Sequence, residues 1–297
     1  MVSVPVAPST EVTPPASSSK VDWQPVLWFG ALLVLCYAPI LYRMGSQWAN
    51  DENMGHGFFV PVVAGFVVWQ RRHKLASIPL RTNYWGLALV IWAALQAIIA
   101  TLGAELFTAR LAFVIALVGV ILFIGGTAWV RALAFPLMLL LFMIPIPAII
   151  YAQLTLRLQM LASELGEILI SWMGIPVLRA GNTLRLPSQT LDIAEACSGI
   201  RSLLSLGFLS LVYAYFMDKR VWMRWALLIA TIPIAIGANG IRVALTGLLS
   251  EVNTDLAKGL FHETEGYIVF IVALIALIFT HKTLSLAAKR FGPLQHV

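Results

Sequence analysis

The sequence predicts an all-α protein, a polytopic membrane helix bundle of about eight transmembrane spans. Three observations predict it. Of its 297 residues, 60% are hydrophobic and only 11% are charged, where a soluble domain carries about 25% charged residues. Apolar runs near the 20-residue length that crosses a bilayer recur along the chain. The basic residues fall in short clusters between those runs. With a mean hydropathy of +0.86, that much apolar surface exceeds what one globular core can hide, so lipid is the solvent for much of it. The net charge of +6 sets orientation in such a protein rather than marking a nucleic-acid partner.

Candidate spans lie near 24–43, 56–70, 84–103, 111–130, 132–152, 199–217, 222–245 and 264–281. Arg71, Arg72, His73 and Lys74 follow the second run. Lys219, Arg220 and Arg224 separate the sixth from the seventh, and Lys282, Lys289 and Arg290 follow the eighth. With eight spans and both termini inside, the three clusters share the cytoplasmic side, as the positive-inside rule requires. Arg43 then sits outside, against the rule.

Residues 1–23, rich in Pro, Ser, Thr and Val, read as a disordered cytoplasmic tail before an uncleaved first span. The transmembrane domain is expected over 24–285, and a cytoplasmic tail over 286–297. The segment 154–175 has Leu154, Leu158, Leu161, Leu165, Ile168, Leu169 and Trp172 on one face, with Arg157, Glu164, Glu167 and Ser171 opposite. That spacing predicts an amphipathic helix along the outer interface. Val177 to Ile193, with Gly181-Asn182 and Leu184 and Leu186 alternating with Arg185 and Pro187, predicts a small outer-face hairpin.

Candidate chemistry collects at the ends of the last spans. Cys197 lies 23 residues before Arg220, Arg242 lies 22 after it, and His262 lies 20 before Lys282. At about 1.5 Å per residue, each is roughly 30–35 Å from the inner surface, so the three share one outer level. A thiol becomes a nucleophile as thiolate, which a helix N-terminus or a nearby cation favours. Cys197 and Ser198 open the sixth span, with Arg201 one turn beyond the cysteine. His262 is placed to move the thiol proton to a leaving amine, and Arg242 to hold an oxyanion. Taken singly, each has a blander reading: a packed cysteine, a snorkelling arginine, a solvated loop histidine.

Asp51, Glu52 and His56 either line the same site or are simply solvated. Cys36 lies well inside an apolar run and is not expected to pair with Cys197. No His, Cys, Asp and Glu cluster has metal-ligand spacing and no phosphate loop is present, so no metal or other cofactor is expected.

The sequence resembles the exosortases, bacterial inner-membrane relatives of the archaeosortases. Four stretches carry the likeness: His56-Gly57-Phe58-Phe59-Val60-Pro61 leading to Trp69-Gln70-Arg71-Arg72; Phe135-Pro136 through Phe142-Met143-Ile144-Pro145-Ile146-Pro147; Glu195-Ala196-Cys197-Ser198-Gly199-Ile200-Arg201-Ser202; and Asn239-Gly240-Ile241-Arg242-Val243 with His262 beyond. The resemblance implies a cysteine protease and transpeptidase of the inner membrane, active at the periplasmic face. Its partners would be exported proteins with a C-terminal sorting tail (a Pro-Glu-Pro motif, a transmembrane helix and a basic end) and an acceptor nucleophile. It also implies an association with exopolysaccharide systems. The family's catalytic cysteine, arginine and histidine map onto Cys197, Arg242 and His262; Arg201, Ser198, Asn239 and His56 are auxiliary candidates. The competing classes are a non-catalytic transport role in polysaccharide export, with outer Arg and His binding an anionic sugar or lipid carrier, and a polymerase or glycosyltransferase, which would use acidic residues.

Overall fold

The computed structural model describes residues 24–193, 199–252 and 260–290. Its helices are α1 (Gln24–Cys36), α2 (Ala38–Asn50), α3 (Phe59–Gln70), α4 (Arg72–Ala76), α5 (Trp85–Leu102), α6 (Leu106–Ala132), α7 (Ala134–Leu139), α8 (Ala148–Trp172), α9 (Gly199–Met217), α10 (Val221–Val252) and α11 (Leu260–Arg290). Short 3-10 segments, Glu52–Phe58 and Leu140–Met143, precede α3 and extend α7. Three short strands, β1 (Leu178–Ala180), β2 (Thr183–Arg185) and β3 (Thr190–Asp192), complete the described chain.

Five of these helices are long and apolar enough to cross a membrane: Trp85–Leu102, Leu106–Ala132, Ile200–Met217, Val221–Val252 and Gly266–Arg290. Two bent pairs, each counted as one span, raise the number to seven among the described residues, against about eight expected. The first, α1 with α2, turns by 69° at Tyr37, just before Pro39 enters the first turn of α2. A proline is tolerated there because its missing N–H would have no helical partner. The run at 56–70 forms only the 12-residue α3. At about 1.5 Å per residue it is roughly 18 Å long; together with the 3-10 segment Glu52–Phe58 ahead of it, it runs from Asn53 at the Arg201 end to Arg71 at the basic end.

Helices α5 and α6 form a tight antiparallel pair, with Gly86 against the backbone of Gly119 and Phe123. A Cβ on Gly86 would stand 2.5 Å from the Gly119 carbonyl oxygen. Small residues let helix backbones approach in lipid, where apolar side chains gain nothing by leaving the hydrocarbon.

The three basic clusters meet at one end. Arg71 and Arg224 approach the Tyr215 ring at 5.0 and 4.9 Å, and Tyr215 stacks on Phe135 at 3.9 Å. Beside them, Arg220 pairs with Asp218 at 2.6 Å and donates to Ser285, while the His281 ring lies between Asp218 and the Tyr213 hydroxyl. The Arg220 guanidinium holds the Asp218 carboxyl well below the usual carboxylate range.

At the opposite end the chain turns through 84° between the α7 segment and α8. Helix α8 then lies over α10, with Leu165 against Gly240, Gly166 against Val243 and Ile170 against Gly247. A helix forms over the expected segment, as Ala148–Trp172, and the face it packs against protein is not the leucine stripe. The buried residues are Gln159, Ala162, Ser163, Gly166 and Ile170, whereas Leu154, Leu161, Ile168 and Trp172 are exposed. In lipid the small face seeks protein and the leucines can face hydrocarbon.

The expected hairpin is also present. Gly181, at φ +67°, turns β1 into β2 with Ala180 opposite Thr183, and β3 adds a third antiparallel strand. Leu184, Leu186, Leu191 and Ile193 turn inward onto Ala162, Ile170 and Val243, the period-two burial of a half-covered sheet. Arg179 pairs with Glu167 of α8 at 2.8 Å, and Ser188 donates to Glu251 near the end of α10 at 2.6 Å.

Candidate active site

Arg201, Asn239, Arg242 and the helical turn at 262–266 lie at this second end, opposite Arg71, Arg220 and Arg224. Arg242 lies in the sixth turn of α10 and is buried, 8% exposed. Its position follows from a glycine on the neighbouring helix: a Cβ on Gly266 of α11 would be 3.5 Å from the guanidinium carbon and from one terminal nitrogen. Position 262 is one helical turn before Gly266, so it lies on the same face of α11. Of His262, the helical backbone is described and the side chain is not.

Asn239 lies one turn before Arg242 and is 5% exposed. Together with Ser202 of α9 and Val269 and Phe270 of α11, these two residues line a cavity of about 10 Å³, room for roughly one water molecule. Two helices thus bring polar side chains to one place, α9 through Ser202 and α10 through Asn239 and Arg242, beside the α11 backbone at Gly266. Thr246 donates its hydroxyl to the Arg242 carbonyl at 3.0 Å. Cys197 and Ser198 lie outside the described residues; α9 begins two residues after the cysteine, at Gly199.

Arg201, one turn after Cys197, is tied to the first loop. Its Nε donates to Asn53 Oδ1 at 3.3 Å, and Asp51 accepts from the Asn53 backbone N–H and side-chain amide at 2.9 and 3.1 Å. Asp51 therefore caps the Glu52–Phe58 segment and orients Asn53 toward the cysteine motif. Tyr151, at the start of α8, lies in the field of the same Asp51 and Arg201. The sequence reading singled out Asp51, Glu52 and His56 but missed Asn53. The signal was an acidic residue two positions ahead of it, the spacing of an Asx turn.

His56 is held apart from this network. Both its ring nitrogens are shielded without a closed hydrogen bond, with the backbone carbonyls of Asn53 and Phe142 in its field. Nearby, Trp48 donates to the Met143 carbonyl at 3.0 Å, and its indole fills the space a side chain at Gly57 would need. His56 thus sits at a packed junction of the first loop and the Leu140–Met143 segment. Among the described residues, no group of three or more His, Cys, Asp or Glu side chains is arranged to hold a metal ion.

Several lipid-length apolar helices with a polar cluster at one end define a multi-pass membrane protein. The family model described as transmembrane exosortase matches residues 48–279, which include Cys197, Arg242 and His262. The chain belongs to the transmembrane exosortase family. No curated protein and no solved structure matches it.

Proposed function

We propose that the protein is a cysteine transpeptidase of the bacterial inner membrane that cleaves the C-terminal Pro-Glu-Pro sorting tail of exported proteins, in association with exopolysaccharide systems. The observation that carries this reading is the position of the Arg242 guanidinium against Gly266, one turn from His262 and in one cavity wall with Ser202, five residues after Cys197. Arginine is charged at any working pH, so a buried guanidinium at a three-helix junction supplies a fixed positive centre for developing negative charge.

In this mechanism Cys197 attacks the carbonyl carbon of the scissile peptide as thiolate. The carbonyl oxygen becomes an oxyanion facing Arg242, and the tetrahedral intermediate collapses as His262 delivers a proton to the departing amine. The membrane-anchored tail leaves and the upstream protein stays on Cys197 as a thioester. An acceptor nucleophile then gives its proton to His262 and displaces the thiolate. Arg201 favours the thiolate from one turn away, with Asn53 fixing its direction, and Asn239 lines the wall beside Arg242. Ser198 adds a hydroxyl beside the nucleophile, and His56 supports the first loop behind Asn53. The active centre faces the periplasm, the side opposite the basic clusters.

The reading is tested by trapping the thioester. Purified protein mixed with a peptide bearing the Pro-Glu-Pro motif is digested and weighed by mass spectrometry. The peptide containing Cys197 should carry the upstream substrate mass and lose it in hydroxylamine. An unmodified Cys197 under conditions where the peptide is cleaved would remove the thioacyl mechanism. Because the rival transport and polymerase roles require no acyl-cysteine, the same experiment separates them from this one.

A further inference from the structure

We infer a second site, at the α5–α6 end of the bundle, that binds the phosphate group of a membrane phospholipid through Arg110 and Arg43. The site is a cavity of about 370 Å³ between α1, α2, α5 and α6, inside the range of ligand pockets, about 300–1,000 Å³. Its walls are mostly apolar, with Ile40, Ile98 and Leu106 among them, and both arginines and Glu105 contribute to the lining.

Arg110 is 5% exposed, yet it makes no hydrogen bond, and no ion pair within 4 Å, among the described residues. Its charged neighbour is Glu105. That carboxylate is exposed and already accepts from the backbone N–H groups of Phe107 and Thr108, capping α6. Arg43, the residue that breaks the positive-inside pattern, adds a second cation to the same cavity. A buried guanidinium is costly unless paired, and an arginine fork suits phosphate oxygens.

Two features select a lipid phosphate over a free one. Arg110 lies four residues into α6, about 6 Å below its end, the depth of the headgroup boundary. The cavity is also flanked by outward-facing apolar residues, Ile98, Leu102 and Leu106, each at least 46% exposed, as an acyl chain requires. The site is separate from Arg242, which sits on α10, and its test does not depend on the transpeptidase reading.

The test uses the full chain, purified in a neutral detergent and freed of lipid. Binding is followed by thermal shift with three probes: dihexanoyl phosphatidylglycerol, dihexanoylglycerol, which lacks the phosphate, and inorganic phosphate. The phospholipid should raise Tm in a saturable way, and the other two should not at equal concentration. Arg110→Gln should weaken phospholipid binding at least tenfold and Arg43→Gln several-fold, while lipid-free Arg110→Gln is no less stable than the parent. Thr101→Phe alters an exposed position in the cavity wall and keeps both charges. It should also weaken binding, and it carries the test if Arg110→Gln does not fold. Equal affinity for parent and Arg110→Gln, or for parent and Thr101→Phe where Arg110→Gln does not fold, would overturn the site. So would equal binding of dihexanoylglycerol, and inorganic phosphate matching the phospholipid would overturn the lipid assignment.

Discussion

The guanidinium of Arg242 rests against the bare backbone of Gly266, 3.5 Å from where a Cβ would stand. This contact fixes where α10 and α11 meet and aims a buried cation at the turn that begins with His262. A methyl at 266 is in ordinary van der Waals contact, whereas a branched side chain must push the guanidinium aside. Gly266→Ala should therefore retain processing of a sorting-tail substrate, and Gly266→Val should lose at least tenfold with expression intact. Immunoblots of cleaved product against enzyme level check this, and full activity in Gly266→Val would show that the contact has no functional role.

Charge alone should not replace Arg242. Lysine keeps the cation but loses the planar fork. In the oxyanion role, Arg242→Lys should lower turnover by about two orders of magnitude with substrate binding largely kept. His262→Ala should instead slow acylation by impairing proton transfer. Single-turnover cleavage at saturating substrate tests the first expectation; a purely weakened KM with normal kcat would argue for a binding arginine instead.

The opposite end yields a pH prediction. Arg220 lowers the Asp218 carboxyl below its ordinary value of 3.8. A carboxyl depressed in the fold stabilises it fully above the unfolded pKa and loses that contribution as pH falls through the folded one. The advantage of the parent over Asp218→Asn, about 1–3 kcal/mol for charge-assisted hydrogen bonds of this kind, should be present at pH 5 and above. It should shrink as pH drops below about 4. Thermal unfolding in one detergent between pH 5 and 3 measures it, and an advantage that grows as pH falls below about 4 would contradict the assignment.

Much of the bundle was legible in the sequence, for a physical reason. Helices such as α5 face lipid over most of their surface, so their length and apolarity are set by the bilayer, and the expected 84–103 became Trp85–Leu102. The hairpin was equally legible, because Gly181-Asn182 and the alternation at Leu184 and Leu186 are local signals. The packing face of α8 was not. The leucine stripe is the strongest periodic feature, but in lipid it is not what drives helix association, and the weaker signal of Ala162, Ser163 and Gly166 marks the buried side. The bends at Tyr37 and before α8 were also invisible to a count of apolar residues. At the candidate site, counting along helices located Arg242 and the turn after His262 at a common end, since α10 and α11 each run as one continuous helix. Asn53 escaped notice because its role depends on a loop that returns from 148 residues away in sequence.

Orientation is open to a direct check. Ser188, exposed beside Glu251, and Ser77, exposed after the first basic cluster, lie at opposite ends of the bundle. In a Cys-free background, Ser188→Cys should react with an impermeant maleimide on spheroplasts, and Ser77→Cys only after lysis. The reverse pattern would put the site on the cytoplasmic side.

The central claim is that Cys197 is the nucleophile, and loss of its sulfur tests it most directly. A tagged exported protein bearing a Pro-Glu-Pro sorting tail is co-expressed with the parent enzyme or with Cys197→Ala, and its cleavage is followed by immunoblot. A thioacyl mechanism requires that the parent convert the substrate to the shorter form and that Cys197→Ala, present at equal level in the membrane, leave it uncleaved. Processing by Cys197→Ala at the parental rate would contradict it.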